Sequence, residues 1–326
     1  MTMNESDARD PKSPTAATPP RLEEPSADRA LEALEACVRV AEKGEFRSPP
    51  AATVADWSSI EVPKLRLGFE RVILSRNPEE GLDALLASGA LDAMLPEVKA
   101  MVGFGDGEWR HKDVWKHTKQ VVRQSVSRVE VRWAALLHDI GKVKTRRILP
   151  NGEVHFHGHA EVGASMFDRL QARTRLFVGE DELAVRVREL ILHHLRASQY
   201  DGTWTDSAVR RFAKEMGTCL GDLFDLSRAD ITTKRPERKR KGLESISELA
   251  ERVRKVREMD AKLPPLPKGL GTAICERFGV APSPRLGEVM KALKDKVDGG
   301  ELEAQRELDY YLQYIGDLGL LSSTLP

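Results

Sequence analysis

The histidines of this 326-residue chain are concentrated in one quarter of its length. All eight lie between residues 111 and 194, namely His111, His117, His138, His155, His157, His159, His193 and His194. Histidine is the commonest nitrogen ligand for metal ions and a common proton carrier in catalysis. Their clustering therefore points to one chemical centre.

Short motifs around these histidines, and one further aspartate, supply candidate metal ligands. They are His117 in KHTKQ, His138–Asp139 in LLHDIGK, His159 in FHGHAEVGA, His193–His194 in LILHHLR and Asp230 in SRADI. Imidazole nitrogens and carboxylate oxygens together suit a divalent ion such as Mn, Co, Ni, Fe, Zn or Mg. The neighbouring His138–Asp139 pair can give one nitrogen and one oxygen to a single ion. His117 and Asp230 can complete its protein ligands and leave positions open for water and substrate, as catalysis requires.

The segments that carry these motifs have helical patterns. In the stretch 113–126, Val114, His117, Val121 and Val122 fall near one helical face, and Asp113 stands at its start. Further helices are predicted at about 159–173, 181–195, 205–217, 219–231 and 243–260, with Thr205 and Asp206 as start signals. Residues 146–156 place Pro-Asn-Gly between two β-prone runs, which predicts a small hairpin. Strand signals are otherwise few, so the predicted fold class is all-α.

Residues 1 to about 28 are rich in Pro, Ser, Ala and charge, and we expect them to be disordered. The rest of the chain on either side of the histidines has helical patterns. A short helix is predicted within 28–46, and two or three short helices are predicted between 62 and 98. Asn77 before Pro78 predicts a helix start, and Gly89 predicts a helix end. After a proline-rich stretch at 264–267, a final helical segment is predicted at about 269–320.

The order of the ligand motifs resembles that of a known superfamily. His117, His138–Asp139 and Asp230 follow the H…HD…D order of the HD metal-dependent phosphohydrolases. Longer stretches are similar to the HD domain that follows the polymerase part of bacterial tRNA nucleotidyltransferases, the CCA-adding enzymes: KDVWKHTKQVV, RWAALLHDIGKVKT, HFHGHAEVGASMF, LILHHLR, WTDSAVRRFAKEMG and LSRADITTK. The similarity covers roughly residues 60 to 315. The resemblance implies an HD-domain helical bundle with one small β-hairpin and flanking helical segments.

The polymerase signature of those enzymes does not occur in this sequence. It contains neither a Gly-Gly-Ser/Asp-x-Arg-Asp run nor an Asp-x-Asp motif. We therefore expect a free-standing HD hydrolase without CTP or ATP polymerase activity. The predicted division is a disordered tail and short helix at 1–54, an N-terminal helical segment at 55–110, the HD domain at 111–262 and a C-terminal helical segment at 263–326.

The resemblance also implies how many ions bind. His159 and His194 match the additional histidines of HD proteins that hold two metals, in which the Asp139 carboxylate would bridge the ions. In related domains the ligand precedes a Leu-Arg pair, which favours His194 over His193. The alternative is that His159 and His194 surround a single ion without binding it. One or two ions are therefore expected, and paired ions suit phosphoester hydrolysis because they activate water and stabilise oxyanion charge.

Basic side chains near the ligands are candidates for phosphate contacts. Lys142 follows Asp139 by three residues, Arg196 follows His194 by two, and Arg228 closely precedes Asp230. Asp139, Lys142 and Arg196 are predicted to be catalytic, and Lys142, Arg196 and Arg228 are predicted to bind substrate. The alternative for these basic residues is a solvated surface position. His111 and His157 could transfer protons.

A strongly basic segment follows the last ligand. Residues 234–262 contain 11 Lys+Arg and 6 Asp+Glu, hence 11 − 6 = +5, and KRPERKRK at 234–241 holds six of the basic residues. The segment could contact a phosphate backbone. The alternative is a solvated surface, which the lack of aromatic residues on which bases stack favours.

Composition narrows the class of protein. The chain balances 51 Lys+Arg with 51 Asp+Glu, which argues against binding nucleic acid or membranes by bulk charge alone. Three scattered cysteines without a C-x-x-C pair argue against a disulfide scaffold and favour a reducing cytoplasm. The N-terminus lacks the apolar core of a signal peptide, and no apolar run is long enough to span a membrane.

The sequence thus predicts a cytoplasmic metal-dependent phosphohydrolase that acts on a phosphoester of a nucleotide or an RNA end. Phosphomonoesters, 2′,3′-cyclic phosphates and dinucleoside polyphosphates are all compatible substrates. The main alternative is a non-catalytic tRNA- or RNA-binding module in which the metal only braces the fold. A third is an interaction protein whose tail and C-terminal helices recruit a partner.

Overall fold

The computed structural model of the protein describes residues 24–104, 113–262 and 264–318. The N-terminal helices are α1 Ala27–Lys43, α2 Val54–Ser58, α3 Val62–Leu74, α4 Pro78–Ala87, α5 Ala90–Met94 and α6 Pro96–Lys99. The central helices are α7 Val114–Gln124, α8 Val129–Leu137, α9 Lys142–Thr145, α10 His159–Thr174, α11 Asp181–His193, α12 Asp206–Met216, α13 Leu220–Ala229 and α14 Pro236–Lys262. The C-terminal helices are α15 Leu270–Phe278, α16 Pro284–Asp298 and α17 Leu308–Leu318.

The only sheet among the described residues is a two-stranded antiparallel hairpin. Strand β1, Arg147–Ile148, pairs with β2, Val154–His155, so that Arg147 lies opposite His155. Single turns of 3₁₀-helix occur at Ala197–Gln199 and Gly217–Cys219. The predicted all-α fold with one small hairpin is therefore confirmed. The disorder predicted for the first residues of the chain falls, up to residue 23, outside the described residues.

Several element boundaries differ from the sequence prediction. The stretch 62–99 forms four helices rather than two or three, because Gly89 adopts a φ of +84° and prolines begin α4 and α6. The predicted C-terminal segment is three helices, interrupted after α15 by Gly279 with a φ of +65°. Helix α14 begins at Pro236 rather than near 243. Proline fits the first turn of a helix, where its missing N–H group costs no hydrogen bond.

Side-chain caps fix the starts of α7, which carries His117, and of α12. The Asp113 carboxylate accepts a hydrogen bond from the backbone N–H of Lys116 at the start of α7, and Thr205 caps α12 in the same way. Asn77 begins α4 as predicted, but its side chain donates to the backbone carbonyl of Ala41 at 3.1 Å instead of capping the helix. This contact ties α4 to α1.

The apolar core has two separate parts. The first runs from Ala30 to Val256, and its largest fully buried side chains include Trp57, Trp133 and Phe212. The second is small and joins α15, α16 and α17 through residues such as Ile274, Leu293 and Tyr311. Burial of apolar surface is the main force that holds such helices together. The histidine-bearing helices α7, α10 and α11 all contribute to the first core.

A buried ionic network braces the first core. Arg66 on α3 donates to Glu70 at 2.7 Å and to Glu180 at 2.9 Å, and the Trp133 indole N–H on α8 donates to Glu70 at 3.2 Å. These contacts join α3 and α8 to the segment just before α11. They therefore fix the helices whose C-terminal ends carry His138 and His194.

All three cysteines are unpaired. Cys37, Cys219 and Cys275 are free thiols, and burial raises the pKa of Cys37 to about 11. Among the described residues, no helix combines the length and the apolar character that a membrane span needs.

Candidate metal centre

Helix ends bring most of the predicted ligands together. His138, His194 and Asp230 are the C-terminal capping residues of α8, α11 and α13, and His159 is the first residue of α10. His117 lies within α7. A helix C-terminus carries partial negative charge, so three such ends meeting at one place favour a cation there.

Backbone carbonyl groups determine which nitrogen carries the proton in three of the histidine rings. The Nδ1 atoms of His138, His159 and His194 lie 2.9, 2.8 and 2.8 Å from the carbonyl oxygens of Ala135, Phe156 and Ile191. A carbonyl oxygen only accepts hydrogen bonds, so each Nδ1 must carry the proton. Each Nε2 then presents its lone pair to the centre, which is the arrangement that metal-binding histidines adopt.

Two groups of ligand atoms share one carboxylate. In the first group, His117 Nε2 and His138 Nε2 lie 3.4 and 3.2 Å from Asp139 Oδ2, and Asp230 Oδ1 lies 2.9 Å from His117 Nε2. In the second, His159 Nε2 and His194 Nε2 lie 3.5 and 4.0 Å from Asp139 Oδ1. Within each of the triads His117–His138–Asp139 and Asp139–His159–His194, the ligand atoms lie within 4.8 Å of one another.

The donor atoms fit a divalent ion. His138 Nε2 and Asp139 Oδ1 are buried without a hydrogen-bond partner among the described residues. His159 Nε2 and His194 Nε2 face each other at 3.1 Å, although both are acceptors when both Nδ1 atoms carry protons. An ion bound to both nitrogens at roughly 2.0–2.1 Å would place them about 3 Å apart. A shared cation would therefore satisfy atoms that no hydrogen bond satisfies.

Electrostatics at the centre also favour positive charge. Burial lowers the pKa of His194 to about 4 and lowers that of His159, so both rings are neutral at pH 7. Burial opposes charge on His138 as well, but the Asp139 and Asp230 carboxylates outweigh it and raise the pKa to about 10, so without an ion this ring also holds a proton on Nε2. A metal ion bound to His138 would take the place of that proton. Burial acts to raise the pKa of Asp139, yet the charges of His138 and Lys142 hold it well below its usual range. The carboxylates are thus ionised and stabilise a cation beside them.

Asp230 has the most exposed side chain of the candidate ligands. His138, Asp139, His159 and His194 are buried, whereas the Asp230 side chain is 30% exposed. Solvent therefore reaches the candidate centre at the Asp230 carboxylate.

The structure places one of the three predicted phosphate-binding residues at the centre. Lys142 Nζ lies 2.6 Å from Asp139 Oδ2. In contrast, Arg196 pairs with Glu215 at 2.6 Å, and Arg228 pairs with Asp225 at 3.1 Å. Within the described residues neither guanidinium group contacts a candidate ligand side chain, and the substrate-binding roles of Arg196 and Arg228 stay predictions.

The other histidines lie apart from the ligand groups. His193 Nε2 pairs with Glu189 at 3.2 Å, whereas the adjacent His194 points into the centre. His155 and His157 stack on each other with their ring centres 5.0 Å apart. His111 lies outside the described residues.

The structure adds positioning residues that the sequence analysis did not identify. A Cβ atom on Gly141 would lie 2.0 Å from the His159 carbonyl oxygen and 2.7 Å from the Gly163 backbone nitrogen. The turn after Asp139 therefore packs directly on the first turn of α10, and only glycine fits. Thr232 Oγ1 lies 2.9 Å from His117 Nδ1 and orients that ring. Their signals were present as a glycine two residues after Asp139 and a hydroxyl two residues after Asp230.

Comparison with known proteins agrees with this geometry. Residues 112–263 match the HD domain family. The A-adding tRNA nucleotidyltransferase of Deinococcus radiodurans is 32% identical over 257 residues, which is 76% of this chain and 57% of that protein. The CC-adding tRNA nucleotidyltransferase of Thermus thermophilus is 32% identical over 253 residues, or 75% of this chain and 54% of that protein. The chain spans about half the length of these curated relatives. It therefore contains an HD domain, a metal-dependent phosphohydrolase fold, and is homologous over that region to the bacterial CCA-adding tRNA nucleotidyltransferases.

Proposed function

We propose that the protein is a metal-dependent phosphohydrolase that cleaves a phosphoester of a nucleotide or of an RNA end. The observation that carries the proposal is the position of Asp139, whose two oxygens belong to two different ligand groups. His117, His138, Asp139 and Asp230 would hold one ion, and Asp139, His159 and His194 would hold a second. Bound Mn, Co, Ni, Fe, Zn or Mg would activate water and stabilise charge on the phosphoryl oxygens.

The side chains around these ligands have two roles in this proposal. The carbonyl contacts at Nδ1 of three histidines, and the Thr232 hydroxyl at Nδ1 of His117, keep the imidazoles aimed at the centre, so little reorganisation is needed when the ions bind. The Lys142 ammonium, 2.6 Å from Asp139, would turn to a phosphoryl oxygen of the substrate and neutralise its charge. Arg196 and Arg228 would have to leave their carboxylate partners to do the same. Phosphomonoesters, 2′,3′-cyclic phosphates and dinucleoside polyphosphates all contain a phosphoryl group that could bind in this way.

The proposal is tested by hydrolysis with defined metals. The protein is loaded with Mn, Co, Ni or Mg and assayed with bis-p-nitrophenyl phosphate, 2′,3′-cAMP and common nucleotides. We expect Asp139→Ala to abolish any activity, while His193→Ala, which alters a histidine outside the ligand groups, should retain it. Equal activity or equal inactivity of the wild type and Asp139→Ala with every metal would refute the hydrolase.

A second candidate function, a module that binds tRNA or another RNA, is supported by the start of α14. Residues 234–241 are all exposed. They begin two residues after Thr232, which contacts the His117 ring, so a basic surface adjoins the candidate metal centre. The names of both curated relatives identify tRNA as their substrate. The phosphate backbone of an RNA could bind to this surface whether or not the metal centre cleaves the RNA.

Salt-dependent binding distinguishes this module from the hydrolase. Lys239→Gln with Lys241→Gln should weaken tRNA binding and reduce the slope of log K against log salt, by about 0.7 to 0.9 for each phosphate that the protein no longer neutralises. Arg254→Gln with Lys255→Gln is the matched control, because these residues lie on the same helix and pair with Glu251. Tight tRNA binding by a protein without hydrolytic activity would favour the module. Equal effects of the two double variants would exclude a specific role for the basic surface.

A further inference from the structure

The hairpin segment between Lys142 and His159 contains a guanidinium group without a carboxylate partner among the described residues. Arg146 is half-buried, and its Nε atom is buried without a hydrogen-bond partner in the described part of the chain. Its guanidinium group lies over the Phe104 ring, with Cζ 5.5 Å from the ring centre. A buried donor without an acceptor costs free energy, and such exceptions are uncommon in folded proteins.

A chain of contacts leads from the candidate metal centre to this group. Lys142 Nζ lies 2.6 Å from Asp139 and 5.7 Å from the centre of the Phe156 ring. Phe156 in turn packs against Phe104, with ring centres 6.4 Å apart, and Arg146 covers Phe104. Arg146 is therefore connected to Lys142, and through Lys142 to Asp139, by the Phe156 and Phe104 rings.

The hairpin register gives Arg146 and Arg147 different surroundings. Arg147 lies opposite His155, and successive residues of an extended strand point to opposite faces. Arg146 contacts Phe104, whereas Arg147 is exposed. The two arginines are adjacent in sequence and equal in charge, but only Arg146 belongs to the chain of contacts that reaches Asp139.

We infer that Arg146 binds a second phosphate of the substrate while the first phosphate lies at the metal centre. This inference rests on the proposed phosphohydrolase and narrows its substrate class to molecules with two phosphate groups. Arginine is suited to the task because its planar donors can bind two phosphate oxygens at once. The half-buried Phe104 and Phe156 rings between the two cations offer an apolar surface to the sugar or base that joins the phosphates.

Equilibrium binding tests the inference separately from cleavage. AMP, ADP and the 5′-phosphorylated dinucleotide pApA are titrated into the metal-loaded protein by calorimetry, and the products are analysed after each titration. We expect ADP or pApA to bind about tenfold more tightly than AMP, as one charged hydrogen-bonded pair would give. A preference for pApA would place the second phosphate one nucleotide away, and a preference for ADP would place it next to the first.

Variants of the two adjacent arginines decide the outcome. Arg146→Ala should remove the tenfold advantage and change the affinity for AMP by less than about twofold, whereas Arg147→Ala should keep the advantage. Arg146→Lys keeps the positive charge and the aliphatic part of the side chain, and it should retain part of the tenfold advantage. This variant keeps the test valid if Arg146→Ala does not fold. Equal binding of all three ligands by the wild type, or equal losses in both alanine variants, would overturn the inference. If the ligands bind as expected but no hydrolysis products form, the proposed hydrolase activity is refuted and the inference about Arg146 is not.

Discussion

At the scale of single residues, the candidate metal centre depends on which nitrogen of each ring is free. Three backbone carbonyls hold the proton on Nδ1, so His138, His159 and His194 present Nε2 to Asp139. Residue type and motif were enough to predict which side chains the structure brings together here, and their role as ligands stays a prediction. Residue type and motif could not predict the partner of a long side chain such as Arg196. It pairs with Glu215 because the packing of α12 brings that carboxylate close. Gly141 was also missed, since its role depends on the backbone of α10.

The two adjacent histidines make the ligand assignment testable. We predict that His194→Ala loses about one metal ion per chain, because it removes one of three ligand groups around the second ion. His193→Ala should keep the wild-type content, since His193 pairs with Glu189. Elemental analysis of both variants after identical metal loading is the measurement. Equal metal content in the two variants would refute the assignment.

At the scale of elements, the candidate centre is built mainly from helix ends, and His117 alone comes from the interior of a helix, α7. The C-termini of α8, α11 and α13 converge there, and the turn after Asp139 packs on the start of α10. Capping residues made several helix boundaries predictable from the sequence, as with Thr205 at the start of α12. The start of α14 was predicted too late because the basic residues at 238–241 have no apolar period, although Pro236 is a favourable first helical residue.

Substitutions of two glycines, Gly141 and Gly221, test how tightly the turn after Asp139 packs on α10. Gly141→Ala would place Cβ against backbone atoms at 2.0 and 2.7 Å, which cannot rotate away. We predict a loss of unfolding free energy of about 3 kcal/mol or more, at the upper end for an overpacked core. Gly221→Ala on α13 meets no atom within 4 Å and should raise the stability by up to about 1 kcal/mol. Chemical denaturation of both variants measures the difference, and a similar stability for the two would contradict the packing.

At the scale of the whole molecule, two apolar cores share one chain. The first spans residues 30 to 256, and the second joins α15, α16 and α17. The sequence predicted helices in both regions. It did not reveal which residues would share a core, because long-range packing is not encoded in local periodicity. The predicted domain boundaries at 54, 110 and 262 stay predictions.

Separate cores should unfold separately. All five tryptophans precede residue 205, so tryptophan fluorescence reports the part of the chain that forms the first core. We predict that far-ultraviolet circular dichroism begins to change at lower denaturant than tryptophan fluorescence, because the small second core buries less apolar surface. Coincident transitions from the two probes would show that the two cores unfold as one cooperative unit.

The central claim is that Asp139 joins two ligand groups into one metal centre. Its most direct test is the number of divalent ions bound per chain after loading with Mn or Co, measured for the wild type, Asp139→Asn and Asp225→Asn. Asp225 is a matched control because it pairs with Arg128 and Arg228 outside the ligand groups. We predict more than one ion in the wild type and in Asp225→Asn, and a loss of binding at both positions in Asp139→Asn. An unchanged ion content in Asp139→Asn would contradict the account.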